Sequence, residues 1–202
     1  MKERNLQLDR LVFFCDAVVA IAITLLALNL KIDKPAGEHL LFKDIIENKI
    51  SFIAFFLSFL LISIFWRIHH EFFSYIQKVD SRFLSFNIGW LFFIVLLPFS
   101  TTLVSAHLYD TTAIVVYAGN VLCITIFQNL IWDHVAVRPD YLNEKATRPM
   151  VYHARLACNV AMLNGGIALG IAFISPIVAF IILFMRLPMM WIARLLFKAP
   201  AD

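Results

Sequence analysis

Six apolar stretches, each close to the ~20 residues an α-helix needs to cross a bilayer, constrain this chain more than any other feature. They run from Leu11 to Leu30, Ile50 to Ile68, Phe83 to Val104, Thr112 to Trp132 and Leu156 to Ile174, with a sixth from Ser175-Pro176 to Phe197. With their flanks they predict helices over about 10–31, 50–69, 83–105, 112–132, 155–174 and 176–197, in one transmembrane domain covering residues 1–202. Composition agrees: 61% of residues are apolar and 15% charged. A soluble domain sits near ~45–50% and ~25%, and no soluble core of this size absorbs the excess. The fold class expected is therefore an all-α integral membrane protein with six transmembrane helices. The net charge of +3, without any long Lys/Arg run, argues against a nucleic-acid partner.

The first and last segments need separate readings. Lys2, Glu3 and Arg4 precede the first, and Ala20-Ile21-Ala22 resembles a cleavage site. Yet Asp16 interrupts the would-be signal core, and the apolar run continues to Leu30. That predicts an uncleaved spanning helix. Ser175-Pro176 reads as a helix start, with Ser able to cap and Pro suited to the first turn. Arg186 and Pro188 interrupt the sixth segment.

Charge placement tests this layout. With a cytoplasmic N-terminus, the inner side collects Lys2, Arg4, Arg10, Arg67, Lys78, Arg82, Arg138, Lys145, Arg148, Arg155, Arg186, Arg194 and Lys198. The outer side receives Lys31, Lys34, Lys43 and Lys49, all in the first loop. This positive-inside bias predicts both termini in the cytoplasm and a location in the cell membrane. The outer loop is expected to carry a short surface helix over Leu40 to Glu47.

Within lipid the informative residues are polar, because an ionised side chain at mid-helix costs roughly 2.5–3.5 kcal/mol. Asp16 stands out. Arg10 lies six residues earlier, which at ~100° per residue is ~240° round the helix, so the two are not stacked. Asp16 must find donors on other helices, and Trp66, His69, His70 and Asn87 fall at matching depth. Such a cluster serves as an inter-helix tie, a proton relay or an ion site; the pattern alone leaves these open. Ile21, Leu25 and Leu28 form a separate aliphatic stripe flanked by Thr24, whose periodicity alone reads as packing on lipid or helices. Leu97-Pro98-Phe99 frees a carbonyl and predicts a kink.

Other chemistry is absent from the pattern. His69 and His70 point ~100° apart and cannot share a metal as an i, i+4 pair does. Cys15, Cys123 and Cys158 are too few and too scattered for a zinc site or a disulfide framework. No nucleotide, zinc-protease, nucleophile-elbow or potassium-filter motif occurs. No cofactor, no metal and no enzymatic activity are expected.

Arg10-Leu-Val-Phe-Phe14-Cys15-Asp16 follows the pattern R-x-x-x-F-S-D, with Cys in place of Ser. Trp66-Arg-Ile-His69-His70-Glu-Phe72-Phe73, Asn87 and Leu97-Pro98-Phe99 accompany it. Together these resemble the prokaryotic branch of the transmembrane-protein-175 family, the relatives of the animal endosomal and lysosomal potassium channel. The resemblance is carried by the first three helices. It implies a potassium-permeable homotetrameric channel without a pore-loop filter, its central pore lined by the first helix. It further implies a constriction at Ile21, Leu25 and Leu28, with Thr24 a flanking position tied to ion preference. Arg10, Phe14, Cys15, Asp16, Trp66, His69, His70 and Asn87 would form the signature and its inter-helix network. Cys15 departs from the pattern, since a thiol is a weaker hydrogen-bonding group than a hydroxyl. Two competing readings remain: a proton- or cation-coupled transporter using Asp16 with His69 and His70, and a membrane enzyme using His69, His70 and Glu71.

Overall fold

The computed structural model describes residues 6–32, 37–39 and 41–196. Lys2, Glu3, Arg4, Lys34, Leu40, Phe197 and Lys198 lie outside the described residues, as do the side chains of Leu187, Arg194 and Leu195. The described residues form eight α-helices: α1 (Leu6–Leu25), α2 (Phe42–Glu47), α3 (Lys49–Tyr75), α4 (Ser81–Ala106), α5 (Thr111–Ala136), α6 (Arg148–Ala172), α7 (Pro176–Phe184) and α8 (Arg186–Leu196). A 3-10 turn over Leu26–Asn29 extends α1. Among the described residues five helices are long and apolar enough to cross a bilayer: Leu6–Asn29, Lys49–Tyr75, Ser81–Ala106, Thr111–Ala136 and Arg148–Ala172.

The sixth apolar segment is not one helix, which corrects the sequence reading. It breaks at Met185 into α7, of nine residues, and α8, of eleven. Pro188 explains the break. It has no N–H for the carbonyl four residues back, Phe184, and its ring crowds that carbonyl. Ser175 does occupy the position before α7, but its side chain makes no capping bond there. Its backbone carbonyl accepts from Ala179 N–H at 3.0 Å instead.

Acidic side chains start the neighbouring helices. Asp80 Oδ1 accepts Phe83 N–H at 2.7 Å at the head of α4. Asp110 does the same for α5, from Thr112 at 2.7 Å and Ala113 at 3.2 Å. Each satisfies donors that the first turn leaves open. α2 forms within the predicted surface stretch, with Leu41 N–H held by Asp44 Oδ2 at 2.8 Å, and it leaves Phe42 and Ile46 exposed. At the base of that loop Asn48 Nδ2 donates to Lys31 carbonyl.

α4 runs unbroken through Pro98. The Pro98 carbonyl accepts from Asn29 Nδ2 at 3.2 Å and Thr102 Oγ1 at 3.0 Å. α1 packs on α3 and α4, α4 on α3 and α5, α5 on α6, and α7 and α8 against α6. Trp90, Trp132, Tyr117, Phe65 and Phe83 fill the interior between them. At the opposite end of the bundle from α2, two loops are stitched together. Ile76 and Leu142 form an antiparallel bridge, Gln77 N–H donates to Tyr141 carbonyl, and Asn143 N–H donates to Tyr75 carbonyl, both at 2.9 Å.

Candidate functional site

α1 has two unlike faces. Leu11, Cys15, Val19, Ala22 and Leu26 are buried at helical spacing against α3 and α4. On the far side Ile21 is 60% exposed, Leu25 38% and Leu28 67%, and Thr24 is exposed beside them. At ~100° per residue, Arg10, Phe14, Ala17, Ile21, Thr24 and Leu25 fall within ~100° of arc, and all are exposed. Thr24 Oγ1 is turned back to its own helix, donating to Ile21 carbonyl at 2.8 Å.

The buried side of α1 is anchored by polar contacts at the middle of the helix. Asn87 Nδ2, on α4, donates to Cys15 Sγ at 2.9 Å. Asn87 Oδ1 pairs with His69 Nε2, on α3, at 2.8 Å. The His69 ring is stacked between Phe73 and Trp90, at 4.2 and 4.3 Å between centroids. Beside this chain, Trp66 Nε1 donates to Asp16 Oδ1 at 2.8 Å, and His70 lies over Trp66 at 5.5 Å. Buried amides and rings in lipid must satisfy one another, since no water replaces a lost partner. Cys15, Asp16, Trp66, His69, His70 and Asn87 are thus brought together. Arg10 and Phe14 are not. Both turn outward on the face they share with Ile21, because six and two residues of helix rotate them away from Asp16.

A second polar web crosses the bundle nearer its other end. Thr101 Oγ1 donates to Ser58 Oγ at 2.8 Å, and Ser58 pairs with Tyr117 Oη at 3.0 Å. Asn120 Nδ2 donates to Ser100 Oγ at 3.2 Å. Of these five residues Asn120 is visible in the sequence as an amide within an apolar segment, and the other four are not set apart there. Ser and Thr in apolar helices are too common to flag, and a depth match across three helices was the available signal.

At the stitched end, His134 Nε2 sits 3.0 Å from both oxygens of Asp80, and Tyr141 Oη donates to the same carboxylate at 3.0 Å. Partial burial opposes ionisation of Asp80, but the Phe83 N–H, His134 and Tyr141 outweigh it and hold the carboxyl at about 2. Among the described residues no group of three His, Cys, Asp or Glu side chains could hold a metal ion.

A chain whose described residues form five helices able to span a bilayer, with a first helix bound along one side and bare along the other, is a multi-pass membrane protein. Residues 10–98 match the family described as "Endosomal/lysosomal potassium channel TMEM175". A potassium channel of Chamaesiphon minutus is 36% identical over 144 residues, covering 69% of this chain and 71% of that one. A potassium channel of Streptomyces collinus is 28% identical over 166 residues, 80% of this chain and 81% of that one. The crystal structure of a lysosomal potassium-selective channel TMEM175 homologue from Chamaesiphon minutus superimposes with a TM-score of 0.79 at 27% identity, covering 93% and 98% of the two chains. The chain belongs to the TMEM175 family of potassium channels.

Proposed function

We propose that four copies of this chain surround a central path for potassium, with the exposed face of α1 turned toward the axis. Ile21, Leu25 and Leu28 form stacked aliphatic rings along that path, and Thr24 flanks them. The observation that carries this reading is the two-faced first helix. Its buried stripe already uses the contacts that α3 and α4 offer, and Ile21 and Leu28 remain bare in a single chain. A narrow ring of such side chains closes by dewetting, and a small tilt or rotation of α1 opens it. No carbonyl filter is involved, so discrimination among monovalent cations is modest. The relatives named as potassium channels supply the permeant ion. We further propose that α7 and α8 together complete a sixth crossing, which keeps both termini on the inner side of the cell membrane, as the basic residues favour.

Liposome flux tests this. Wild-type protein under a potassium gradient should conduct weakly at rest, and Ile21→Asn should conduct several-fold more, because a polar ring wets the constriction. Unchanged current and ion preference in Ile21→Asn would sink the pore assignment. Saturable flux coupled to a proton or sodium gradient would instead favour a transporter using Asp16, His69 and His70.

A further inference from the structure

Arg186 opens α8 and is only 8% exposed. A guanidinium withdrawn from water needs acceptors for its five N–H groups. Phe65 offers a ring face at 5.5 Å, which attracts the cation but replaces no strong acceptor. Nη1 is buried and has no hydrogen-bond partner among the described residues. Arg186 borders a cavity of about 600 Å³ between the last three turns of α3, the first three turns of α6, and α8. His153 lines the same cavity, and its Nδ1 is likewise buried without a partner among the described residues. Arg67 and Glu71 stand exposed at its edge, and Tyr75 and Trp191 contribute aromatic walls.

We propose that this cavity binds an anionic phosphate group, in the membrane that of a phospholipid headgroup. The chemistry follows from what is unpaired. A phosphate presents several oxygens, and two can accept parallel N–H bonds from one guanidinium. Arg67 adds a second positive charge, and Glu71 subtracts one at the rim. The location suits a lipid. The cavity runs along the half of α3 that ends at Tyr75, toward the end of the bundle that carries Lys78, Arg82, Arg138, Arg148 and Arg155, of which Lys78 pairs with Asp140 and Arg155 with Asp133, and tyrosine and tryptophan favour the headgroup level. Basic pockets between spanning helices on the inner side bind anionic headgroups by the same logic.

The test is native mass spectrometry of the full-length protein in mild detergent, with thermal unfolding in parallel. Added phosphatidylglycerol should give retained adducts and a raised unfolding midpoint, and phosphatidylcholine should give neither. Arg186→Met should weaken adduct retention at least ~10-fold, and Arg186→Lys, which keeps the charge without the fork, by less. Should Arg186→Met fail to fold, the rim decides. Arg67→Gln should weaken binding and Glu71→Gln strengthen it, each roughly threefold to fivefold, opposite signs that a purely structural effect would not produce. Inorganic phosphate is the control for source. Stabilisation by millimolar phosphate that Arg186→Met or Arg67→Gln abolishes supports the anion site and assigns it to a soluble phosphate. Equal retention of phosphatidylglycerol and phosphatidylcholine, or rim variants that change nothing, overturns the proposal.

Discussion

Asn87 joins the first helix to its neighbours through both ends of one amide. Its donor goes to Cys15 and its acceptor to His69, and all three side chains are buried. Asn87→Leu keeps the volume but strands His69 and frees Cys15. It should lower unfolding stability by about 1–3 kcal/mol, the cost of an unsatisfied buried group, measured by tryptophan-fluorescence melting in detergent. Asp16→Ala removes the acceptor of Trp66 Nε1; Asp16 is half-exposed, so the loss should be smaller, seen as a reduced yield of folded protein. A melting curve for Asn87→Leu that overlays the wild type would show that this amide does not tie the helices. The residue types and depth of this cluster could be seen in the sequence. The pairing could not: Asp16 was expected among all four polar partners, whereas it takes Trp66, and Asn87 serves Cys15 and pairs with His69 instead.

At the level of elements, close approach and loop stitching set the packing. A Cβ on Gly165 would lie 3.3 Å from the Leu122 backbone, so the α5–α6 contact depends on a small residue there. Gly165→Val should force these helices apart and cost about 1–3 kcal/mol, read as a lower melting temperature; Gly166→Ala, which meets nothing within 4 Å, is the control. Asp80 couples α4 to α5 through His134 and Tyr141. Its carboxyl is held at about 2 when folded and titrates near ~3.9 when unfolded. The depressed value means the folded state binds the proton less readily. Its contribution is therefore complete above about pH 5 and is lost as pH falls through ~4 toward 2. Unfolding followed from pH 6 to pH 2 should show this loss, and Asp80→Asn should flatten the acid limb. The sixth apolar segment teaches the limit of hydropathy. Residues 176–196 are apolar enough to read as one span, but one missing N–H at Pro188 divides them.

For the whole molecule, the question is what covers the bare face of α1. If four α1 helices face one axis, Leu28→Cys in a chain with Cys123→Ala should form inter-chain disulfides on mild oxidation, seen as dimers on a non-reducing gel. Val19→Cys, on the buried stripe, should not. Equal cross-linking at both positions would show that α1 is not oriented as proposed.

Helix class, five of the six apolar spans and the family signature were legible in residue order alone, because lipid demands long apolar runs with internally satisfied backbones, and such runs leave a plain one-dimensional trace. Five of the six segments became single helices of the expected kind. Which face of a helix is buried leaves no such trace in a chain apolar all round. Ile21 and Val19 are both aliphatic and two residues apart. Only packing against α3 and α4 turned Val19 inward and left Ile21 bare, since the neighbours that distinguish them lie on helices far along the chain, at 49–75 and 81–106. Spacing already separated Arg10 from Asp16 round the helix; that Arg10 and Phe14 face outward with Ile21 was decided by the packing of the opposite side on α3 and α4.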